Sequence, residues 1–393
     1  MKINQNYLKL QDGYLFSEIA KRVKAFAEKN TNKNVVRMGI GDVTRPLTPS
    51  VVSAMKKATE EMGVAKTFRG YADEQGYDFL RQAVCEHYAK KSLTIDADEV
   101  FISDGAKSDL GNILDIFSQE NTVLVPNPVY PVYVDTNIMA GRKIVFANGS
   151  EENAFLPLPD KDVDADIIYL CSPNNPTGAV YNKEQLKMWV DYALLKQAVI
   201  LFDSAYEVFV SDSNLPTSIY QIKGAKKCAI EFCSLSKTAG FTGTRCGYTV
   251  VPKDLVFEKT SLNKLWFRRQ TTKFNGVPYV VQRGAEAVFT TNGWQEIKAE
   301  ADYYMQNARL ISKTLTELKI WHTGGINSPY IWLKCPNGLS SWQFFDFLLE
   351  KACVVGTPGE GFGKNGEGFF RFSAFGSHES TAEAMQRLRE VIL

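Results

Sequence analysis

The stretch SLSKTAGFTGTRCGY, residues 234–248, follows the apolar run CAIEFC and places Lys237 among hydroxyl side chains. An amine in a desolvated, partly cationic site can be neutral and can attack a carbonyl group. Hydroxyl groups and an arginine together bind phosphate, because they donate hydrogen bonds to its oxygens. The stretch therefore indicates a lysine that binds an aldehyde, beside a phosphate site made by Ser234, Ser236 and Arg245. The alternatives are a solvated loop lysine and an arginine paired with a surface acid.

Polar residues also follow other apolar runs, where strands would end. These residues are Gly105, Ala106 and Lys107 after VFIS, Tyr130 after VLVP, Asn175 after IIYLC, and Asp203 and Tyr206 after VILF. A buried carboxylate at 203 suits a protonated pyridine nitrogen, which would make such a ring an electron sink. Asn175 and Tyr206 can hydrogen-bond a phenolic oxygen, Tyr130 can stack on a ring, and the backbone N–H groups of Gly105 and Ala106 can bind the phosphate. Alternatively, Tyr130 and Tyr206 are aromatic residues of the buried core.

The elements that position these residues alternate between helical and strand patterns. Leu15, Ile19, Val23 and Phe26 recur at helical spacing and predict an N-terminal helix. From residue 50 onward, short continuous apolar strands alternate with helical patterns, which indicates an α/β fold with a mostly parallel sheet sandwiched by helices. In such folds ligands bind at the carboxyl ends of the strands.

The pattern changes near residue 295, where a long helix leads into a strand-and-helix tail. We expect residues 1–49 to form an N-terminal arm and part of a small domain, residues 50–294 a large cofactor-binding domain, and residues 295–393 the remainder of the small domain. The smaller α/β domain would thus come from both termini.

Composition excludes several classes of function. The 393 residues carry a formal net charge of +1, which gives no field favouring nucleic acid or an anionic membrane. No signal-like segment or apolar run of spanning length is present, so a cytoplasmic location is expected. The seven cysteines form no CxxC pair, and the three histidines have no metal-ligand spacing, so no metal site is predicted.

Three motifs, SPNNPTG, FDSAYEVF and SLSKTAGFTGTRCGY, resemble in order and spacing the fold-type I aminotransferases of the aspartate aminotransferase superfamily, which use pyridoxal 5'-phosphate. With TFRGYADEQG, SDGAKSD, NPVYPVYVD, VVGTPGEGFG and GFFRFSAF, the resemblance narrows to the LL-diaminopimelate aminotransferases and covers nearly the whole chain. It implies a homodimer with shared active sites, which passes an amino group between LL-2,6-diaminopimelate and 2-oxoglutarate to give tetrahydrodipicolinate and glutamate in lysine biosynthesis.

The resemblance also implies residue roles. Lys237 would hold the cofactor covalently and then move the substrate proton, Arg371 would bind the α-carboxylate, and Tyr71 of the neighbouring chain would reach the phosphate. Glu74 of the neighbour would bind the distal ammonium. Further substrate contacts are expected from Tyr14, Gly41, Lys107, Tyr130, Asn175 and Asn275.

Two alternatives remain from the sequence, and a third pattern is dismissed. Another fold-type I aminotransferase, for aspartate, alanine or aromatic amino acids, or a lyase with the same cofactor would share the cofactor contacts. A regulator that kept the site without turnover would need a nucleic-acid-binding arm, which is not evident. GFGKNG, residues 361–366, matches a dinucleotide fingerprint, but a strand-like run follows it instead of a helix.

Overall fold

The computed structural model describes residues 1–10 and 15–392. Its α-helices are α1 Leu15–Lys29, α2 Pro49–Met62, α3 Asp78–Lys90, α4 Ala106–Asn112, α5 Val132–Ala140, α6 Lys183–Lys196, α7 Leu235–Thr238, α8 Leu262–Lys273, α9 Tyr279–Val288, α10 Thr291–Glu317, α11 Ser341–Phe347 and α12 His378–Ile392. No helix within the described ranges is long and apolar enough to cross a membrane.

The β-strands are β1 Val36–Arg37, β2 Val100–Ser103, β3 Thr122–Asn127, β4 Lys143–Asn148, β5 Ile167–Cys171, β6 Val199–Asp203, β7 Ala229–Ser234, β8 Gly247–Val250, β9 Val256–Phe257, β10 Thr260–Ser261, β11 His322–Gly324, β12 Tyr330–Lys334, β13 Val354–Val355, β14 Thr357–Pro358 and β15 Phe369–Ser373. Short 3-10 segments lie between several of these elements.

A seven-stranded sheet in the order β2-β8-β7-β6-β5-β3-β4 forms the main layer. Only β8 among these strands runs against the others, because it pairs antiparallel with both β2 and β7. Every residue of β5, β6 and β7 is buried, as expected for strands covered by helices on both faces. The prediction of a mostly parallel sheet sandwiched by helices is confirmed.

The strand β8 brings two distant motifs together. Gly247 pairs with Ser103 on one side and with Ser234 on the other, so the SDGAK and SLSK segments leave the sheet next to each other. A Cβ at Gly247 would lie 2.9 Å from the Cα of Gly105, so only glycine allows this approach.

A second, antiparallel sheet has the order β11-β12-β15-β14. The N-terminal strand β1 pairs in parallel with β13, with Val36 opposite Val354. This pairing joins the N-terminal segment to the C-terminal part of the chain. The domain boundaries at residues 49 and 294 stay a prediction.

Candidate active site

The phosphate-binding residues predicted from sequence lie together at the ends of β2 and β7. Nη1 of Arg245 donates a hydrogen bond to Oγ of Ser236 over 2.9 Å, and Oγ of Ser234 accepts one from the Ser236 N–H over 3.2 Å. A Cβ at Gly105, where φ is +133°, would collide with Nη2 of Arg245. The Arg245 guanidinium therefore packs directly against the backbone of Gly105. The Gly105 N–H already donates to Oγ of Ser103 over 3.3 Å, so an anion here would compete with that hydroxyl.

The carboxylate of Asp203 lies buried at the end of β6. Its Oδ2 accepts a hydrogen bond from the Tyr133 hydroxyl over 2.6 Å, and its Oδ1 accepts one from the Ala205 N–H over 3.0 Å. Burial raises the pKa of Asp203 to about 6, and the two donors oppose that rise. A cationic ring nitrogen placed here would stabilise the ionised carboxylate. Tyr130 is half-buried beyond β3, with its ring 5.8 Å from that of Tyr133.

Arg371 connects the small sheet to the ends of the large one. It lies on β15 and is 1 % exposed, and its Nη1 donates to Oδ1 of Asn175 over 2.7 Å. Its Nη2 donates to the Gly39 carbonyl and to Oγ1 of Thr357, over 3.2 and 3.3 Å. Its Nε is a buried donor with no partner within the described residues. A fully desolvated guanidinium with spare donor capacity suits a carboxylate ligand.

Lys237 lies in the one-turn helix α7, directly after β7. Its Nζ donates to the carbonyl of Gly41. Burial lowers the pKa of Lys237 to about 8, opposed by Asp42 and assisted by the charges of Arg371 and Arg245. The amine therefore loses its proton far more readily than an exposed lysine, which is the requirement for a nucleophile or a general base near neutral pH.

Gly41 lies close to the Tyr330 hydroxyl and to the Arg371 guanidinium. A Cβ there would lie 3.6 Å from the Tyr330 hydroxyl and 3.8 Å from Nη2 of Arg371. The predicted residues Gly41, Asn175, Lys237 and Arg371 are thus brought into one group.

Four other predicted residues are not brought into this group. Tyr71, Asn275 and Lys107 are exposed, and Glu74 is half-buried. No hydrogen bond or ring contact joins any of them to Lys237 in the described part of the chain. The loops that carry Glu74 and Asn275 do approach each other, since a Cβ at Gly276 would lie 3.6 Å from the Asp73 carbonyl oxygen. Tyr14 lies outside the described residues.

Sequence reasoning missed two tyrosines. Tyr133 follows Tyr130 by three residues, and the repeated tyrosine in NPVYPVYVD was the available signal. Tyr330 begins β12, and its hydroxyl lies 3.0 Å from that of Tyr206. Nothing near Tyr330 in the sequence separates it from a core aromatic residue.

The arrangement fits pyridoxal 5'-phosphate. Such a cofactor needs an unprotonated amine, a phosphate site, a carboxylate for the ring nitrogen and donors for the phenolic oxygen. Lys237, the Arg245 and Ser236 pair, and Asp203 meet the first three needs. The side-chain amide of Asn175 and the hydroxyl of Tyr206 are donors suited to the phenolic oxygen.

Comparison with known proteins agrees with this geometry. The family "Aminotransferase class I and II" matches residues 33–388. The chain is 53% identical over 399 residues to the LL-diaminopimelate aminotransferase of Azobacteroides pseudotrichonymphae, covering 100% of this chain and 99% of the relative. It is 54% identical over 405 residues to the enzyme of that name from Parabacteroides distasonis, covering 99% and 98%.

Among solved structures, the L,L-diaminopimelate aminotransferase from Chlamydomonas reinhardtii superimposes with a TM-score of 0.93 at 41% identity, covering 99% of this chain and 98% of that one. The predicted cofactor and enzyme class are confirmed together with the fold. The chain belongs to the class I and II aminotransferases, enzymes that depend on pyridoxal 5'-phosphate.

Proposed function

We propose that this chain passes an amino group between LL-2,6-diaminopimelate and 2-oxoglutarate, giving tetrahydrodipicolinate, L-glutamate and water, as a step of lysine biosynthesis. The observation that carries the proposal is end-to-end identity above half with two relatives that bear this activity in their names. The buried group formed by Lys237, Arg371 and Asn175 supports it from the chemical side.

Arg371 binds the α-carboxylate of the amino donor. Its planar guanidinium presents two parallel donors to the two carboxylate oxygens, and burial strengthens that pairing. Asn175 and Thr357 hold the side chain in place. This contact fixes the direction of the Cα–H bond within the site.

Lys237 moves the proton. When bound, the cofactor supplies a conjugated cationic ring that accepts the electron pair left on Cα. Nζ of Lys237 would take the proton from Cα of the substrate and pass it on, a role suited to an amine whose pKa is lowered to about 8. Asp203 would keep the ring nitrogen protonated, and Tyr133 holds that carboxylate through its hydroxyl.

We also propose that two copies of the chain complete each site. Tyr71 is 89 % exposed, and Val64 and Phe68 on the same segment are 54 % and 59 % exposed. Such an apolar surface suits burial against a second copy. In that arrangement Tyr71 reaches the partner site's phosphate, and Glu74 and Asn275 line its substrate pocket.

Glu74 then selects the substrate. A carboxylate at 74 attracts a distal ammonium, which diaminopimelate has and aspartate lacks. Lys107, exposed in the first turn of α4, would approach the phosphate and the distal end of the substrate. We further propose a cytoplasmic location, which suits seven cysteines that are all unpaired.

A coupled assay tests the proposal. Glutamate formation is measured with LL-diaminopimelate and 2-oxoglutarate, beside parallel assays with aspartate, alanine and phenylalanine as donors. We expect kcat/KM for diaminopimelate to exceed the others by at least about 100-fold. Preference for any other donor would overturn the substrate assignment and leave the family intact.

The variant Glu74→Gln refines this test. We expect it to lower kcat/KM for diaminopimelate by about 10- to 100-fold and to spare the half-reaction with glutamate. Asp73→Asn removes a neighbouring charge as a matched control. Equal losses with both amino acids would refute the role of Glu74.

A further inference from the structure

Tyr330 is a fully buried residue that has no part in the functions above. It begins β12, and its hydroxyl lies 3.0 Å from that of Tyr206. The two rings meet edge-on, with centroids 5.1 Å apart and planes at 70°. Through Tyr330, a strand of the small sheet thus contacts the hydroxyl and the ring of Tyr206.

The other side of Tyr330 faces the carboxylate-binding arginine. The guanidinium carbon of Arg371 lies 4.4 Å from the centre of the Tyr330 ring. Tyr330 pairs with Ser373 across the antiparallel ladder, so it shares a face of the sheet with Arg371. One side chain therefore touches both the arginine and Tyr206.

Either hydroxyl can donate in this contact, and the charge of Arg371 favours Tyr330 as the donor. Burial raises the pKa of both tyrosines, but Arg371 opposes the rise at Tyr330, whereas that of Tyr206 lies well above its usual range. The more acidic hydroxyl is the better donor. With Tyr330 as the donor, the Tyr206 hydrogen is left free to point at a phenolic oxygen. Donation into a hydroxyl also strengthens the bond that the hydroxyl makes in turn.

We propose that Tyr330 is a positioning residue that couples the carboxylate-binding Arg371 to the phenolic oxygen of the cofactor through Tyr206. The inference rests on the proposed function, because it needs the cofactor on Lys237. It assigns to the small sheet a part in setting the protonation of that oxygen. A carboxylate bound to Arg371 would affect the phenolic oxygen of the cofactor through the same two tyrosines.

The test is an absorbance titration of the visible chromophore that the cofactor forms with Lys237. In Tyr330→Phe the ring under Arg371 remains and only the hydroxyl is lost. We expect the titration midpoint to rise by roughly half a pH unit or more, because the phenolic oxygen is less well stabilised as an anion. We expect kcat to fall several-fold with little change in KM for glutamate.

Two comparisons make the result specific. Tyr192→Phe removes another buried hydroxyl, which donates to the Val163 carbonyl over 2.6 Å, and should leave the midpoint unchanged. In a Tyr206→Phe background, Tyr330→Phe should not change the titration midpoint further, because no hydroxyl then connects Tyr330 to the phenolic oxygen.

An unchanged midpoint in Tyr330→Phe, or the same further rise in the Tyr206→Phe background, would overturn the inference. A wild-type protein that forms no chromophore with pyridoxal 5'-phosphate would overturn the proposed function instead, and the inference with it.

Discussion

The hydroxyl of Tyr133 donates a 2.6 Å hydrogen bond to Oδ2 of Asp203, inside the layer where the parallel strands end. Tyr133 stacks on Tyr169 at 4.8 Å, so its ring is held in place by the core. The carboxylate is thereby kept ionised and oriented in a site whose burial alone would favour the neutral acid.

Replacing Tyr133 by phenylalanine should weaken cofactor binding. Loss of a hydrogen bond to a charged group corresponds to about 1.5–3 kcal/mol, or roughly 10- to 100-fold in affinity. Equilibrium titration with pyridoxal 5'-phosphate measures the change. Tyr169→Phe, which loses a hydrogen bond from Asn137 in the same stack, is the control. Equal losses in both variants would indicate a packing role only.

Gly105→Ala should act on the phosphate site. The added Cβ displaces the Arg245 guanidinium, and φ of +133° is strained for alanine. We expect pyridoxal 5'-phosphate to bind at least about 10-fold more weakly, while pyridoxal, which lacks the phosphate, binds as before. Gly243→Ala, where a Cβ meets open space, serves as the reference. A parallel loss for pyridoxal would contradict the assignment.

Lys237→Met should stabilise the cofactor-free protein at neutral pH. The pKa of Lys237 is about 8 in the folded chain, against 10.5 for an exposed lysine. Between these values the unfolded state binds more protons, so wild-type stability rises with pH, and below 8 the full cost of the buried ammonium is present. We expect a gain of about 2–3 kcal/mol at pH 7 that shrinks toward pH 10.

Thermal unfolding of both cofactor-free proteins at pH 7 and pH 9.5 measures this difference. A difference in Tm that is the same at both pH values would mean that the ammonium is not desolvated in the folded protein.

Arg371→Lys should separate substrate binding from cofactor binding. Lysine keeps the charge but loses the fork that binds a carboxylate bidentately. We expect KM for both glutamate and diaminopimelate to rise by about 100-fold, with cofactor affinity within about twofold of wild type. Arg142→Lys alters a buried arginine that donates to the Leu114 and Phe117 carbonyls, and it should affect stability alone. Comparable losses of cofactor and substrate would be evidence against the carboxylate role.

The sequence was most informative for site residues that lie close together along the chain. Lys237, Ser236 and Arg245 lie within ten residues, so their types and spacing predicted a site that the fold then assembled. Asp203 was predicted because its strand is continuous and apolar, and the position at its end is therefore defined. The parallel sheet followed from the same apolar runs.

Residues that act across the sheets were harder to predict. Tyr330 meets Tyr206 over 124 positions of sequence, and that contact depends on how the small sheet packs on the large one. The antiparallel direction of β8 has the same origin, because strand order is determined by long-range packing and not by local pattern. The roles of Tyr71, Glu74 and Asn275 depend on a second copy of the chain and stay predictions.

The ladder between β1 and β13 has a consequence for synthesis of the chain. Val36 pairs with Val354, so 318 positions must leave the ribosome before the first strand finds its neighbour (354 − 36 = 318). β1 therefore has no partner strand until after every strand of the large sheet has been synthesised. Late closure of this kind makes the final forty residues a condition for burying Val36.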